Sequence, residues 1–174
     1  MFMLMDMLGE DVFWRAVRDF LKTYRFKPVT TDQFFAVMSS SSGRDLQWFQ
    51  DQWFHREGVP TLQASVRDRR LTLSQQEEWT LDVPVWQFAN GRWSVHKVHI
   101  ESLEASLDLP FGGPVLIDPE RRALAQIDGG AAFPADQAAA AYRVAGSAAV
   151  RDALLATIRE AGEATVRELM NEEK

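Results

Sequence analysis

At 174 residues, with 46% hydrophobic and 25% charged positions, the chain has average globular composition and room for one large domain or two or three small ones. A formal net charge of −6 gives no overall attraction to phosphate or to an anionic bilayer, so no nucleic-acid partner is expected. The lack of cysteine excludes disulfide frameworks, thiolate metal sites and thiol nucleophiles, and is compatible with a cytoplasmic setting.

The opening "MFMLMDML" is apolar but carries Asp6, lacks a basic leader and is too short for a signal core or a spanning helix, so it is expected to be a buried segment. No other window approaches the ~18 uncharged apolar residues of a membrane span. From Gly9, the spacing of Phe13, Val17, Phe20, Leu21 and Tyr24 predicts an α-helix, with Glu10 and Asp11 favoured at its start and Pro28 closing it. "TTDQ" predicts a capping box, Thr30 as N-cap and Gln33 three residues on, opening a short helix through Phe34, Phe35 and Met38. The run "SSSSG" is then expected as a loop, and Ser42 with Asp45 repeats the box-like spacing before a third helix. Leu46, Phe49 and Trp53 form one face of that helix, with Trp48 on the flank and Gly58 and Pro60 ending it.

After Pro60 the period changes to two. "TLQASVR" and "RLTLSQ" predict a hairpin turning at Asp68 and Arg69, and "WTLDVPVWQFANGRWSVHKVHIESL" predicts two more strands joined at Asn90-Gly91. Pro84 suggests an edge strand or a bulge, and the shift of apolar parity from Trp93 and Val95 to Val98 and Ile100 suggests a bulge near His96 and Lys97. "PVLIDPERRALAQID" reads as a last hairpin with its turn at Asp118 to Arg121. The expected sheet core is Leu62, Val66, Leu73, Val85, Trp93 and Ile100. Helices follow at about 134–144 and 147–161, the second capped by Ser147, closed by Gly162 and carrying Val150, Leu154 and Ile158 on one face; a further helix starts over 163–174.

Candidate chemistry is sparse. Of three histidines, His96 and His99 could share a face only through the inferred bulge and lack a third ligand, while His55 at a helix end is expected to interact with the dipole. The serines at 39–42 have no nucleophile-elbow context, and "PFGGP" at 110–114 lacks the lysine and helix of a phosphate loop. Asp6, Glu10, Asp11 and Asp19 read as a solvated face. Trp79, Trp86 and Trp93, all expected in strands, could form a binding platform, with core packing the alternative; "RDRR" at 67–70 reads as a solvated turn.

The segment from Met7 to Pro60 resembles the stretch that follows the active site in aminopeptidase N-like zinc metallopeptidases, the gluzincin or membrane alanyl aminopeptidase family. The matching residues are Met7, Leu8, Gly9, Glu10, Phe13, Thr31, Asp32, Ser42, Gly43, Asp45, Leu46, Trp53, Gly58 and Pro60. "LTLSQ" and "VLIDPERRALAQI" are similar to strands of the small β-sandwich that follows the catalytic domain. The resemblance implies an α+β chain in three parts: 1–58 the helical end of a thermolysin-like catalytic domain, 59–128 a small antiparallel β-sandwich, and 129–174 the start of an α-helical, HEAT-like domain. It further implies a parent protein that binds zinc and hydrolyses N-terminal residues from peptides. The H-E-x-x-H helix, the glycine-rich exopeptidase motif and the oxyanion tyrosine are absent from this sequence, and neither Tyr24 nor Tyr142 matches that tyrosine. No catalytic, cofactor-binding or metal residue is therefore assigned, and the expected role is structural. The alternative is a stand-alone β-sandwich module binding peptide or glycan through strand tryptophans. Under the family reading, Phe2, Leu4, Met7, Phe13, Phe20 and Tyr24 would expose an apolar patch open to self-association.

Overall fold

A computed structural model describes residues 1–130 and 133–161. The chain is mixed α+β and divides into two compact units, Met1–Gly58 and Val59–Lys174.

The first unit is helical. The apolar start forms α1, Phe2–Leu8, and Gly9, at φ 84°, ends it and opens α2, Glu10–Thr23. A side chain at that φ would be strained, so glycine permits the two helices to join without a linker. α2 stops at Thr23, ahead of Pro28, and Phe26 adopts a φ of 60° in the turn beyond it. α3, Thr31–Ser42, opens on the expected capping box: the Thr30 hydroxyl accepts from the Gln33 N–H at 3.2 Å and the Gln33 side chain accepts from the Thr30 N–H at 3.0 Å.

The serine run is not a loop. It continues α3 to Ser42, because Gly43 supplies the left-handed C-terminal position at φ 68° and its N–H closes on the Ser39 carbonyl at 2.9 Å. Ser41 also donates to Asp19 on α2 at 3.2 Å, which favours the helix over water. Ser42, inside α3, therefore cannot cap the next helix. Leu46 holds the N-cap position with no side-chain cap, and Asp45 before it accepts the Gln47 N–H at 2.9 Å ahead of α4, Gln47–Gln50, which widens into a π-helical turn over Asp51–His55. Leu4, Leu8, Phe13, Ala16, Phe35, Met38, Leu46 and Phe49 form the buried core of the unit, with Trp53 packed against it and Trp48 exposed on the flank.

The second unit holds two sheets. β1, Thr61–Arg67, and β2, Arg70–Gln75, form the expected hairpin, with Asp68 and Arg69 both at positive φ. β3, Leu81–Ala89, and β4, Arg92–Ile100, turn at Asn90-Gly91, again with φ positive at both. β5, Glu104–Asp108, β6, Val115–Ile117, and β7, Gln126–Gly130, complete a four-stranded sheet in the order β5-β2-β1-β7 and a three-stranded sheet in the order β4-β3-β6.

Four expectations fail here. The β3–β4 register runs unbroken from Ala89–Arg92 to Leu81–Ile100, so there is no bulge at His96 and Lys97. The apolar parity shifts because both faces of this sheet are covered, at different ends. Val83, Val85, Val98 and Ile100 are buried on one face, while Trp86, Phe88 and Trp93 lie on the other, against the C-terminal helices. Trp93 thus belongs to a helix-covered cluster and is only half-buried; Val66 is likewise half-buried, while Leu62, Leu73, Val85 and Ile100 are fully buried. Pro84 is neither at an edge nor at a bulge. It lies in the central strand where β6 ends, its carbonyl still accepting the Asp118 N–H at 2.8 Å, so its missing N–H falls beyond the last paired residue of β6.

The fourth concerns β6 and β7, which are not a hairpin. The turn at Asp118–Arg121 exists, but the chain then passes to the other sheet, where β7 pairs with β1 in parallel, so the pairing is not wholly antiparallel. Gly129, at φ 85°, is fitted to this pairing: a Cβ there would stand 2.4 Å from the Ala64 carbonyl oxygen.

The chain crosses between sheets four times, at β2–β3, β4–β5, β5–β6 and β6–β7. Three buried polar side chains tie down all four. Gln75 donates to the Trp79 carbonyl at 2.9 Å and the Ser102 carbonyl at 2.7 Å, holding two crossings at once. Gln87 donates to the Phe111 carbonyl, and the Asp118 carboxylate accepts the N–H groups of Arg122 at 2.7 Å and Ala123 at 2.9 Å. Burying such groups is tolerable only because they replace water at backbone groups that the crossings leave unpaired.

α5, Ala135–Arg143, and α6, Ala148–Ala161, close the described chain, with Val150, Leu154 and Ile158 fully buried as the spacing predicts. They share a core with Phe88 and Leu116 of the three-stranded sheet. Gly162 and the helix expected over 163–174 lie outside the described residues.

Candidate functional site

The feature of the first unit that its own packing leaves unfinished is an apolar groove of about 390 Å³ between α1 and α2, lined by Met1, Phe2, Met5, Phe13, Trp14, Val17, Phe20, Leu21 and Phe34. Every lining residue is apolar. Its origin is the width of the α2 stripe: Phe13 and Ala16 face the core, whereas Trp14 and Leu21, one heptad apart on the adjoining strip, face outward at 45% and 60% exposure. Phe2 of α1 is 62% exposed on the same groove. Ring contacts stiffen it, Phe13 meeting Trp14 edge-on at 5.3 Å and Phe20 meeting Phe34 at 5.2 Å.

The expected patch is therefore present with a different membership. Leu4 and Phe13 are buried in the core, and Met7, Phe20 and Tyr24 are half-buried; Trp14 and Leu21 carry the exposure instead. Trp14 was missed because the stripe was centred on Phe13 and Val17; its heptad relation to Leu21 was the available signal. Beyond the end of α2, a second cleft of about 420 Å³ involves Tyr24, Arg25, Phe26 and Lys27, with the Arg25 guanidinium 4.8 Å above the Phe26 ring.

Within each unit the candidate chemical residues do not converge. His96 and His99, with no bulge between them, point to opposite faces of β4; His96 contacts Ser94 at 3.2 Å, and His99 contacts Asp82 at 2.8 Å and Glu101 at 3.5 Å, all near the solvent. His55 lies exposed in the other unit beside Asp51 at 3.1 Å. Among the described residues, no three histidine or carboxylate side chains are grouped to hold a metal ion. The serines at 39–42 sit in or at the end of α3, and Tyr142 is buried below the Arg151 guanidinium.

The tryptophans do not form a platform. Trp79 lies just before β3 rather than in it and is 4% exposed, while Trp86 and Trp93 are packed against the α5–α6 core, the Trp93 indole N–H donating to the Ala141 carbonyl at 3.2 Å. In the "RDRR" turn, Arg70 pairs across strands with Asp108 at 2.7 Å; this hydrogen bond and the guanidinium charge hold the Asp108 carboxyl below its usual range. Both side chains are solvated, as the sequence suggested. No helix among the described residues is long and apolar enough to cross a membrane.

No family model matches the chain. Aminopeptidase M1 of Arabidopsis thaliana is 25% identical over 93 residues, 53% of this chain and 10% of the relative. Aminopeptidase N of Lactococcus lactis subsp. lactis is 29% identical over 77 residues, 44% of this chain and 9% of the relative. The probable aminopeptidase 2 of Sulfurisphaera tokodaii is 26% identical over 91 residues, 52% of this chain and 11% of the relative. The chain is similar to a segment of aminopeptidase N-like proteins. The crystal structure of Legionella pneumophila aminopeptidase A in complex with aspartic acid shares the fold, with a TM-score of 0.72 at 17% identity over 92% of this chain and 20% of that one. The aminopeptidase-like segment thus spans about a tenth of the length of the curated relatives it matches. Its groove presents apolar side chains alone.

Proposed function

We propose that the segment is part of a zinc-dependent aminopeptidase, in which residues 1–58 form the helical end of the catalytic domain, 59–128 a β-sandwich and 129–174 the start of a HEAT-like helical domain. Its own role is structural: it packs behind the cleft and carries the chain into the sandwich. The observation that carries this reading is the uncovered groove between α1 and α2, whose exposed Phe2, Trp14 and Leu21 require apolar cover that the first unit does not supply.

The histidines of the second unit do not fit zinc, since His96 and His99 face opposite sides of one strand. The reading accordingly assigns metal and peptide binding to residues outside this chain, where zinc would activate water for hydrolysis. A cytoplasmic setting accords with the absence of cysteine.

The coding sequence upstream of the Met1 codon tests the reading. An in-frame H-E-x-x-H followed by a third glutamate ligand supports it, and an upstream stop codon in the same frame overturns it. Biochemically, the zinc-bearing part of a relative, expressed without its matching segment, should bind this chain and gain solubility; no association would count against the reading.

A further inference from the structure

We propose that in the 174-residue chain the α1–α2 face is a self-complementary interface, through which two copies pair about a two-fold axis with their α2 helices antiparallel. The inference does not rest on the aminopeptidase reading, since it follows from the distribution of apolar and charged side chains on one helix.

The apolar part is the strip of Trp14, Val17 and Leu21, bordered by Phe2, in which Phe2, Trp14 and Leu21 are the exposed side chains. The charged part gives the strip a direction. α2 begins with Glu10 and Asp11 and ends with Lys22, followed by Arg25, and all four are exposed. On the helical repeat, Asp11, Arg18 and Lys22 border the same side of the strip, and Arg25 follows in the turn beyond the helix.

A two-fold axis between Val17 and Arg18 sets Trp14 of one copy against Leu21 of the other. It also sets Glu10 and Asp11 against the other copy's Lys22 and Arg25, and does so twice because the contact is isologous. A parallel pairing would bring acid to acid and base to base. In the 174-residue chain by itself, a second copy supplies both signs of charge in the required order. The one like-charge approach is Arg18 to its own copy near the axis; at a solvated rim this costs little at physiological salt.

Light scattering coupled to size exclusion on the full chain tests the proposal at micromolar concentrations. The expected mass is twice 19.8 kDa. Leu21→Glu, at a position 60% exposed and hence compatible with folding, should give a monomer of unchanged circular dichroism. Two charge variants remove the dependence on that one substitution. E10K/D11K and K22E/R25E should each weaken pairing about tenfold, whereas an equimolar mixture should restore it as a mixed dimer, because both ends are then complementary again. A wild-type monomer, polydisperse aggregates, an L21E variant that keeps the doubled mass, or charge variants that pair as well as wild type would each overturn the proposal.

Discussion

Trp93 on β4 donates its indole N–H to the carbonyl of Ala141 in α5 at 3.2 Å, so a residue that strand alternation assigns to the sheet core instead fastens a helix to the sheet. Its ring lies against Phe88 at 5.3 Å and Trp86 at 6.1 Å. Trp93→Phe keeps most of that contact and removes the hydrogen bond, and should cost about 1 kcal/mol. Trp93→Ala should cost about 2–3 kcal/mol, less than the ~3–5 kcal/mol of a fully buried aromatic because this ring is only partly buried. The loss should be local: hydrogen exchange should speed up in α5 and α6 before β1 and β2. Uniform deprotection would mean that Trp93 supports the sheets rather than the helices.

Gln75 should be disproportionately sensitive for a polar residue. Its amide serves the carbonyls of Trp79 and Ser102, in two crossings far apart in sequence, and it is buried. Gln75→Leu keeps much of the volume and strands both carbonyls, so a loss of about 2–4 kcal/mol is expected from urea unfolding. Gln76→Leu, one residue on and exposed, should lie within about 0.5 kcal/mol of wild type. Equal effects at the two positions would show that Gln75 does not hold the crossings.

These two residues also mark the limit of what the sequence makes legible. Local signals were sufficient where the structure is local: the Thr30–Gln33 box, the Asn90-Gly91 turn, and the Val150, Leu154 and Ile158 stripe follow from spacing alone. Non-local pairing was not. The alternation in β4 shows which residues are apolar but not that each face has its own cover. Likewise, the turn after Asp118 is visible without its destination, since the parallel partner of β7 lies in β1, more than sixty positions earlier. The serine run failed for a related reason, as Gly43 and the contact of Ser41 with Asp19 outweigh the weak helix preference of serine. At the groove, the excess apolar width of α2 was legible, but not which part of it α3 would cover.

The chain by itself should neither bind zinc tightly nor hydrolyse aminoacyl substrates. His96 and His99 occupy opposite faces of one strand, and His99 shares its place with Asp82, which also meets Lys97 at 3.2 Å, so that carboxylate is already neutralised. Isothermal titration with zinc should show no submicromolar one-to-one event, and a fluorogenic aminoacyl substrate should remain intact. Turnover abolished by a chelator would contradict both statements and direct attention to donors outside the described residues.

Asp118 should give the crossing it holds a pH dependence of unusual sign. Burial raises its pKa above the ordinary carboxylate value, outweighing the opposing pull of the Arg122 and Ala123 N–H groups and of the Arg122 charge; Glu120 adds to the rise. The folded state therefore holds this proton more tightly than the unfolded chain does. The resulting stabilisation is fully present below the unfolded pKa and is lost as pH rises through the higher folded one. Asp118→Asn abolishes the titration while keeping one acceptor oxygen. Urea midpoints followed upward from the carboxylate range should show wild type losing stability relative to the Asn variant across that window, then a constant gap at higher pH. Asp118→Ala should cost about 2–3 kcal/mol through the stranded N–H of buried Ala123. A gap between wild type and Asn that stays constant across the whole window would mean that the carboxyl titrates as a solvated group, and that the β6–β7 crossing is open to water.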